Sequence, residues 1–495
     1  MQKFHYLNQE NLGLLPADVI TPTFNRDNIT TSIVHIGVSN FHRAHQAYYT
    51  NELMDKYGIT DCGICGVDLL DSDRKIYSIL KDQDGLYTLI TKYPNGQNKI
   101  KVICSIVEYF FAPENPMAVI EKMAHPDIQV ISLTIAEDGY HLNEITGKFD
   151  MDHPVVAEDI KNPLSPNTVF GYLTQALKLR QQRKIGGCTI ISCDNIPANG
   201  DTMKGSLFHY IERAEPELLH WVKNNVTFPN TMVDRITPVT RTEDIENLKT
   251  GYLTEDQWPV VCEPFAQWII EDHFAAQRPP WEKVGVQFTR NIEPYENMKL
   301  RLLNAGHSIL GILGTLIGYK TVYEAACDEE LMLLLEDFMN EEVAPTLDQA
   351  KKTDFTNYKQ NVITRFQNPH IKDSLTRICK ESSAKVPLFI LPTIKDQLKN
   401  KRNITRGAFI IAAWCKYNDG VDENGISYEI SDALSDILIR TAALSHQSPI
   451  RFLEIKPVFK ELINEDIFVD AYLKAIEALR RKPVKACLMD LNSMT

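Results

Sequence analysis

The alternation of short apolar strands with helical segments across the first 200 residues is the feature that most constrains the fold. In TSIVHIGVSNFHRAHQAYYTNELMDKYG, a β-branched run turns at Gly37 into a helical pattern that Gly58 is placed to cap. With the strand-like DCGICGVDLL after it, this stretch predicts a βαβ unit over residues 32–70. YTLITKY and IKVICSIVEYF are β-rich, and apolar runs in IQVISLTIAEDGY and CTIISCDN predict buried strands with a helix around VFGYLTQALKLRQQRK between them. The first part of the chain is therefore predicted to be α/β, with a doubly wound parallel sheet.

Beyond residue 290 the pattern changes from strands to long helices. Helical periodicity is present in EELMLLLEDFMNEEVAP, RGAFIIAAWCKYN, DALSDILIRTAAL and DAYLKAIEALRRK, and strand signals nearly vanish. A chain of 495 residues exceeds the size at which a single core keeps growing, so two domains are expected. We place the boundary between 285 and 295, where Pro294 is expected to interrupt any helix. The predicted domains are 1–288 and a mainly α-helical 289–495.

Charge and composition argue against several classes of partner. The net charge is −13, and no run of Lys and Arg is long enough for a phosphate-binding patch, which disfavours nucleic acid and anionic membrane. The N-terminal sequence has no secretory pattern, and no apolar run approaches the roughly 20 residues of a membrane span. Ten cysteines lack framework spacing, and the lone CxxC of Cys62 and Cys65 lies in an apolar, strand-like run. The sequence therefore predicts a cytoplasmic protein with reduced thiols.

The loop GVSNFHRAH joins the first predicted strand to the first helix. In a doubly wound sheet, backbone N–H groups and the helix dipole at this position bind a pyrophosphate, although only Gly37 of the GxGxxG pattern remains and Ser39 replaces the second glycine. An ordinary βα turn is the competing interpretation. Asp68 ends the next strand, where a carboxylate accepts hydrogen bonds from ribose hydroxyls and repels a 2′-phosphate, which favours NAD. Asp71 or Asp73 in the polar turn that follows could serve instead.

Two polar residues lie at later strand ends. Asn195 comes just after the buried strand in SCDNIPANGDT, on the edge where such sheets bind ligands, and its amide can donate to a developing oxyanion. Its competing role is that of a turn residue before Ile-Pro. Asp234 lies in the mostly apolar FPNTMVDRITP next to Arg235, where a structural ion pair is the alternative to a binding role.

The segment KLRLLNAGHSILG, residues 299–311, places an amine, an amide and an imidazole in an apolar helix. With Lys299 at zero on an α-helical wheel, Asn304 falls near about 140° and His307 near about 80°, so all three share one side. A solvated helix face is the competing interpretation. Alcohol oxidation requires the hydroxyl proton to leave with the hydride, and a partly desolvated lysine can serve as that base. Asn304 could hold the oxygen and His307 could orient the substrate. We find no compact His, Cys and Glu set for zinc, so no metal is predicted.

Six segments together resemble the polyol-specific long-chain dehydrogenases, from about residue 30 to beyond residue 430. They are VHIGVSNFHRAHQAYYT, SCDNIPANGDT, FPNTMVDRITPVT, WPVVCEPFAQWIIEDHF, KLRLLNAGHS and RICKESSAKVP. The resemblance implies a Rossmann-type domain followed by a helical one, a metal-free reaction with NAD or NADP, and a monomer. It implies interconversion of a sugar alcohol and a ketose, here D-mannitol and D-fructose. Two departures, Ser39 and the order NAGHS where many members have N-G-S-H, bear on substrate choice.

The resemblance also implies roles for individual residues. The family pattern of a lysine, an asparagine five residues on and a histidine three further is matched by Lys299, Asn304 and His307. It makes Lys299 the general base, Asn195 and Asn304 the oxyanion site, and Glu296 a residue that helps the proton exchange with solvent. The substrate hydroxyls are expected near Asp234, Arg377 and Lys385. The predicted cofactor-binding residues are Gly37, Ser39, Asn40, Phe41, His42, Arg43, Asp68 and Glu137.

Two other functions remain open from the sequence. A uronate reductase of the same family would act on a substrate with a terminal carboxylate, such as fructuronate or tagaturonate, and would need an unpaired cation, for which Arg377 is the candidate. A catalytically silent NAD-binding module is the remote alternative. The presence of Lys299, Asn304 and His307 argues against it, because a silent descendant would tolerate their loss.

Overall fold

The computed structural model describes residues 4–143, 147–347 and 352–493. The chain divides into two compact units, Met1–Glu293 and Pro294–Thr495. This division lies within the interval of 285–295 that the change of pattern indicates. The first unit contains the β-sheets and the second is built from helices.

The first unit is built on a five-stranded, fully parallel sheet. In chain order its strands are β1 Thr31–Ile36, β2 Gly63–Asp68, β3 Ile106–Phe111, β4 Val130–Leu133 and β5 Thr189–Ser192. They are arranged in the spatial order β3-β2-β1-β4-β5, which is the Rossmann order and confirms the predicted doubly wound sheet. Nearly every residue of β2, β4 and β5 is buried, as continuous apolar runs predict for strands covered on both faces.

Helices connect and cover these strands. They are Asn40–Ala44, Gln46–Tyr57, Arg74–Asp82, Pro116–Met123, Pro154–Lys161, Val169–Gln182, Asn199–Ala214, Leu219–Asn225 and Thr242–Tyr252. The second helix ends as predicted at Gly58, whose φ of 64° lets its N–H donate to the carbonyl of Met54. Inside the unit, the fully buried guanidinium of Arg180 donates to a group of five backbone carbonyls. These belong to Met123, His125, Ile128, Gly186 and Gly187.

The β-rich run IKVICSIVEYF forms two strands in different sheets, which the sequence did not indicate. Residues 106–111 are β3 of the main sheet, whereas Asn98–Ile103 pairs antiparallel with Tyr87–Lys92. The chain is interrupted at Cys104, whose N–H donates to the Asn51 side chain, and at Ser105, whose hydroxyl donates to the Ala47 carbonyl. Because Cys104 and Ser105 bond to the helix Gln46–Tyr57, the two strands do not continue as one strand of a single sheet. The sequence predicted the strands but not their separation.

The remaining strands of the first unit form small sheets. Val260–Cys262 and Val19–Ile20 complete a four-stranded sheet with 87–92 and 98–103. A three-stranded sheet has Gln267–Glu271 in the centre, antiparallel to Thr231–Asp234 and parallel to Gln287–Thr289. His5–Tyr6 pairs with Thr254–Glu255.

The second unit is mainly α-helical over its described residues, as predicted. Its α-helices are Glu293–Lys299, Ala305–Ile317, Val322–Ala326, Glu329–Asp337, Lys352–Phe366, Leu375–Ile378, Ser382–Phe389, Leu391–Lys399, Thr405–Tyr417, Ser435–Ser445, Lys456–Phe459, Asp466–Arg481 and Val484–Asn492. The π-helical segment Leu300–Asn304 connects the helices Glu293–Lys299 and Ala305–Ile317, and a second, Phe338–Val343, follows the helix Glu329–Asp337. The helix Thr405–Tyr417 is almost wholly buried and packs against Ala305–Ile317 and Asp466–Arg481, forming the core of the unit.

The helical stretch Glu293–Ile317 differs from two expectations. Pro294 was expected to interrupt a helix but is the second residue of one, where its missing N–H would have no intrahelical acceptor. The stretch of 25 residues is also long and apolar enough to cross a membrane by length and composition. In its most apolar window, however, 78% of the residues are buried within the protein, as in a core helix.

All ten cysteines are free, and burial raises the pKa of the Cys62 thiol to about 12.

Candidate active site

The predicted site residues fall in two sets, one in each unit. In the first unit, the turn after β1 requires glycine at Gly37, which has a φ of 85°. A Cβ there would lie 2.2 Å from the backbone oxygen of Thr134, which follows β4. The Thr134 hydroxyl donates to the Gly37 carbonyl at 2.7 Å, and the Gly37 N–H donates to the carbonyl of Val67. The turn after β1 is therefore packed tightly against the ends of its two neighbouring strands, β2 and β4.

The segment after this turn separates into exposed and buried side chains. Ser39 caps the helix Asn40–Ala44 by accepting the His42 N–H at 3.1 Å, and Ser39, Asn40 and Phe41 are partly exposed. Arg43 is fully buried, and its guanidinium donates to the Asn40 side chain and to the Trp258 carbonyl, both at 2.6 Å. These two bonds place the Arg43 side chain behind Asn40, where it supports the loop.

His42 is also buried, and its ring stacks on that of His35 with centroids 3.4 Å apart. His35 lies on β1, with Nδ1 2.8 Å from the Ser132 hydroxyl and Nε2 3.0 Å from the Gly37 carbonyl oxygen. Burial lowers the pKa of His35 to about 3 and that of His42 well below its ordinary value. Both rings are therefore neutral at physiological pH. Their position beneath the turn indicates that His42, like Arg43, supports the loop from inside.

Asp68 lies at the end of β2 and is 2% exposed. One carboxylate oxygen accepts the N–H of Val38 at 2.8 Å, and the other accepts the hydroxyl of Tyr109. Burial raises the pKa of Asp68 to about 6, and the two donors oppose this rise. Asp71 and Asp73 lie beyond it on a 3-10 turn, where Asp71 pairs with Arg74. Among the three carboxylates, Asp68 is the one bonded to the loop that follows Gly37.

Two further loops at the carboxyl edge of the sheet are tied together by Asp194, which the sequence reasoning missed. Its carboxylate accepts the N–H groups of Ile135 and Ala136 at 3.2 and 2.9 Å and the hydroxyl of Tyr140 at 2.8 Å. These bonds fix the loop after β4 that carries the exposed Glu137. The next residue, Asn195, lies just after β5, as predicted, and is exposed. The position of Asp194 at a strand end was the available signal.

Asp234 is the last residue of its strand and is 2% exposed. The guanidinium of the neighbouring Arg235 donates to the backbone carbonyls of Ala44 and Glu263. It also lies 4.7 Å from the centre of the Tyr48 ring. The sequence could not indicate these partners, because they come from distant parts of the chain.

In the second unit, the helix that carries Lys299 changes to π geometry immediately after it. The N–H of Ala305 donates to the carbonyl of Leu300, five residues earlier, instead of to the residue four earlier. The α-helical wheel is therefore wrong over residues 300–304. A π turn contains more residues per turn than an α-helix, so Asn304 lies closer to the side of Lys299 than about 140° indicates. Single π turns occur frequently at functional sites.

The polar side chains of this helix lie in an apolar setting. Lys299 and Asn304 are 7% and 8% exposed, while His307 and Glu296 are half-buried. The amide nitrogen of Asn304 has no hydrogen-bond partner among the described residues. The His307 ring packs against Phe366 with centroids 4.7 Å apart. Because a buried unpaired donor destabilises a protein, the Asn304 amide is suited to an acceptor supplied by a ligand.

Arg377 is paired rather than free. Its Nε donates to one oxygen of Asp373 at 2.7 Å and its Nη2 donates to the other, in a two-pronged ion pair. Asp373 is 3% exposed, whereas the Arg377 side chain is 45% exposed. The pair neutralises the cation that a carboxylate-bearing substrate would require. Asp373 is a second residue that the sequence reasoning missed.

Lys385 lies on the helix Ser382–Phe389, and the start of this helix is fixed by Asp432. The Asp432 carboxylate accepts the hydroxyls of Ser382 and Ser383 at 3.0 and 2.5 Å, together with the Ser383 N–H. The buried indole of Trp414 donates to the same Ser382 hydroxyl. These contacts hold the segment on which Lys385 lies. Within residues 4–143, 147–347 and 352–493, no cluster of three or more His, Cys, Asp or Glu residues could hold a metal.

The Rossmann unit and the helical unit with a buried lysine and amide are the parts of a two-domain dehydrogenase. A family model described as the mannitol dehydrogenase Rossmann domain matches residues 31–283, and one described as the mannitol dehydrogenase C-terminal domain matches residues 291–480. The chain belongs to the mannitol dehydrogenase family.

Individual relatives agree with this membership over nearly the whole chain. A mannitol 2-dehydrogenase of Phaeosphaeria nodorum is 40% identical, over 97% of this chain and 85% of the relative. The Pseudomonas fluorescens mannitol 2-dehydrogenase, solved as a ternary complex with NAD and D-mannitol, is 40% identical with a TM-score of 0.91, over 99% of this chain and 100% of that one. A D-sorbitol dehydrogenase structure is 36% identical with a TM-score of 0.89, over 97% and 100%.

Proposed function

We propose that this NAD-dependent polyol dehydrogenase interconverts D-mannitol and D-fructose, with Lys299 as the general base. The observation that carries the proposal is the π turn Leu300–Asn304, because the buried Lys299 directly precedes it and the buried Asn304 is its last residue. The relatives named mannitol 2-dehydrogenase support the choice of substrate.

In this proposal Lys299 removes the hydroxyl proton of the reacting carbinol while its C–H bond breaks and a carbonyl forms. When bound, NAD supplies the acceptor for the hydride. The amide of Asn304 donates to the substrate oxygen as negative charge develops, and Asn195 is proposed as a second donor. His307 orients the substrate, and Glu296 passes the proton from Lys299 to solvent. Ketose reduction uses the same groups in reverse, with Lys299 returning the proton.

The residues of the first unit fit a dinucleotide. The crowded turn at Gly37 and the capped helix start at Ser39 offer backbone N–H groups where a Rossmann fold binds pyrophosphate. Each oxygen of Asp68 accepts one donor from the protein, and a carboxylate has about four acceptor positions, so ribose hydroxyls can still be bound. We propose that Asp68 binds the adenosine ribose, and that Glu137 contacts the cofactor from the loop after β4.

The end of the substrate remote from the reacting carbon decides between a polyol and a uronate. We propose that Asp234, Arg377 and Lys385 bind the remaining hydroxyls. Because Asp373 neutralises Arg377, the pair is suited to hydroxyl groups, whereas an added carboxylate would be repelled by Asp373. This contact favours the neutral polyol over the uronate alternative.

The test is a substrate panel followed by absorbance of the reduced nicotinamide. D-mannitol and D-sorbitol are oxidised with NAD or NADP, and D-fructose, D-fructuronate and D-tagaturonate are reduced with NADH or NADPH, each with and without a chelator. We expect the highest kcat/KM for D-mannitol and D-fructose with NAD and NADH, unchanged by chelation. A preference for uronates would overturn the substrate assignment. Loss of activity on chelation that zinc restores would overturn the metal-free mechanism, and NAD binding without turnover would indicate a silent module.

A further inference from the structure

Arg301 lies inside the π turn between Lys299 and Asn304, but its side chain contacts a different part of the second unit. Its Nη1 donates to the hydroxyl of Thr346 at 2.7 Å and to a carboxylate oxygen of Asp396 at 2.6 Å. The Arg301 side chain is 12% exposed and that of Asp396 is 39% exposed, so the ion pair is partly shielded from water. The contacts connect the turn to two other elements of the unit.

Both partners of Arg301 are connected to the second π segment, Phe338–Val343. Thr346 follows it on a 3-10 turn, and its hydroxyl donates to the carbonyl of Val343 at 2.7 Å. Asp396 precedes Gln397, whose buried side-chain amide donates to the carbonyls of Glu341 and Glu342 at 2.9 and 2.8 Å. The two π segments also contact each other directly. Arg301 is therefore anchored to a hydrogen-bonded support.

This support is itself fixed to the core of the unit. The fully buried carboxylate of Glu342 accepts the backbone N–H groups of Arg406 and Gly407 at 2.7 and 2.9 Å, in the first turn of the helix Thr405–Tyr417. A carboxylate at a helix N-terminus is stabilised by the free N–H donors and the helix dipole. The second π segment is thereby held against the helix that forms the core of the unit.

We propose that Arg301 is a positioning residue that holds the π turn and so sets the spacing between Lys299 and Asn304. A π turn is rare because α geometry is the default, and it persists where surrounding contacts fix it. Return to α geometry would turn Asn304 away from Lys299 by up to one residue, about 100°. The catalytic consequence rests on the proposed function, whereas the structural support of the turn does not.

The test compares Arg301→Met with the matched control Arg451→Met. Arg451 forms an exposed ion pair with Glu454 at 2.9 Å in the same unit, so its variant removes an arginine–carboxylate pair at another position. We expect Arg301→Met to lower kcat for D-mannitol oxidation by about tenfold to a hundredfold, because small misplacement of reacting groups has effects of that size. The dissociation constant for NAD should stay within about twofold, since the proposed NAD-binding residues lie in the other unit. Guanidinium ion should restore part of the rate of Arg301→Ala.

A second measurement reports on the turn without activity. Amide hydrogen exchange at Asn304 and Ala305 should be faster in Arg301→Met than in wild type or the control. An unchanged kcat, or unchanged exchange at these amides, would overturn the proposal. If the wild type oxidises no polyol, the proposed function fails while exchange still decides whether Arg301 holds the turn. If Arg301→Met does not fold, Thr346→Val and Asp396→Ala each remove one acceptor of the Arg301 guanidinium and should accelerate the same exchange to a smaller degree.

Discussion

Replacing Asp68 by asparagine separates the charge of this residue from its shape. The amide oxygen of Asp68→Asn can still accept the Val38 N–H, and the new NH₂ group can donate to the Tyr109 hydroxyl oxygen. The loop after Gly37 should therefore keep its position. Any change in stability or in cofactor preference then reports on the lost charge.

The stability effect follows from the pKa of Asp68, which burial raises from 3.8 to about 6. A difference of this size corresponds to about 3 kcal/mol. Because the folded protein holds the proton more tightly, the carboxylate lowers stability fully above pH 6, and this penalty disappears as the pH falls towards about 4. Asp68→Asn should therefore unfold at a higher temperature than wild type at pH 7.5, with a difference that shrinks as the pH falls from 6 towards about 4.

The cofactor effect follows from repulsion between the carboxylate and a 2′-phosphate. Two unit charges about 4 Å apart interact by about 1 kcal/mol in water and about 4 kcal/mol near a protein surface. Loss of the charge should therefore lower the ratio of kcat/KM for NAD to that for NADP by about fivefold to several hundredfold. Initial rates of D-mannitol oxidation with each cofactor at pH 8 and pH 5.5 measure this ratio. Between pH 8 and pH 5.5, the NAD-to-NADP ratio of kcat/KM should fall more in wild type than in the variant. In the variant, the change in this ratio reports the titration of the 2′-phosphate alone.

Two results would refute this reasoning. A wild type that prefers NADP, or a ratio within about twofold of wild type in Asp68→Asn, would remove Asp68 as the determinant. Asp71→Asn is the matched control, because Asp71 lies on the following turn, is exposed and pairs with Arg74. A larger change in Asp71→Asn than in Asp68→Asn would transfer the role to that turn.

Three further substitutions test other parts of the structure. Asp373→Asn should raise the kcat/KM for D-fructuronate relative to that for D-fructose by at least about fivefold, because Arg377 loses its counter-ion. An unchanged ratio would indicate that Arg377 and Asp373 lie away from the substrate. Gly37→Ala should weaken NAD binding by at least about tenfold, because the added Cβ has no space. Gly58→Ala is the control, since Gly58 also has a positive φ but lies in open space, and this variant should bind NAD as wild type does. Equal NAD affinities of the two variants would contradict the assignment of the loop to the cofactor. Arg180→Met should lower the free energy of unfolding by about 3 kcal/mol or more in urea titration, because it leaves buried carbonyls unpaired, and a loss below about 1 kcal/mol would refute that role.

Local patterns predicted the strands of the main sheet because their apolar runs report burial directly. The turn at Gly37 and the strand-end position of Asp68 followed from the same βαβ unit. The division of IKVICSIVEYF could not be predicted, because it depends on bonds from Cys104 and Ser105 to helix residues 53 and 58 positions earlier in the chain. Propensity alone does not contain such distant partners.

The candidate site shows the same limit at the level of single side chains. The wheel placed Lys299 and Asn304 on one side only loosely, because it assumed α geometry where the structure has a π turn. The pairing of Arg377 with Asp373 was also outside what spacing could decide, since the sequence does not show which acid a cation contacts. The burial of the polar His42 and Arg43 side chains was likewise not visible in the sequence, because it depends on packing.

The most direct test of the central claim is the turnover of Lys299→Ala together with its affinity for NAD. If Lys299 is the general base, kcat for D-mannitol oxidation should fall by at least about 10² to 10⁴-fold. NAD should bind nearly as in wild type, wild-type oxidation should rise with pH, and a small amine should restore part of the variant's rate. Lys395→Ala, at an exposed lysine of the same unit, is the control and should keep its activity. A Lys299→Ala variant whose turnover stays within about twofold of wild type would contradict the account.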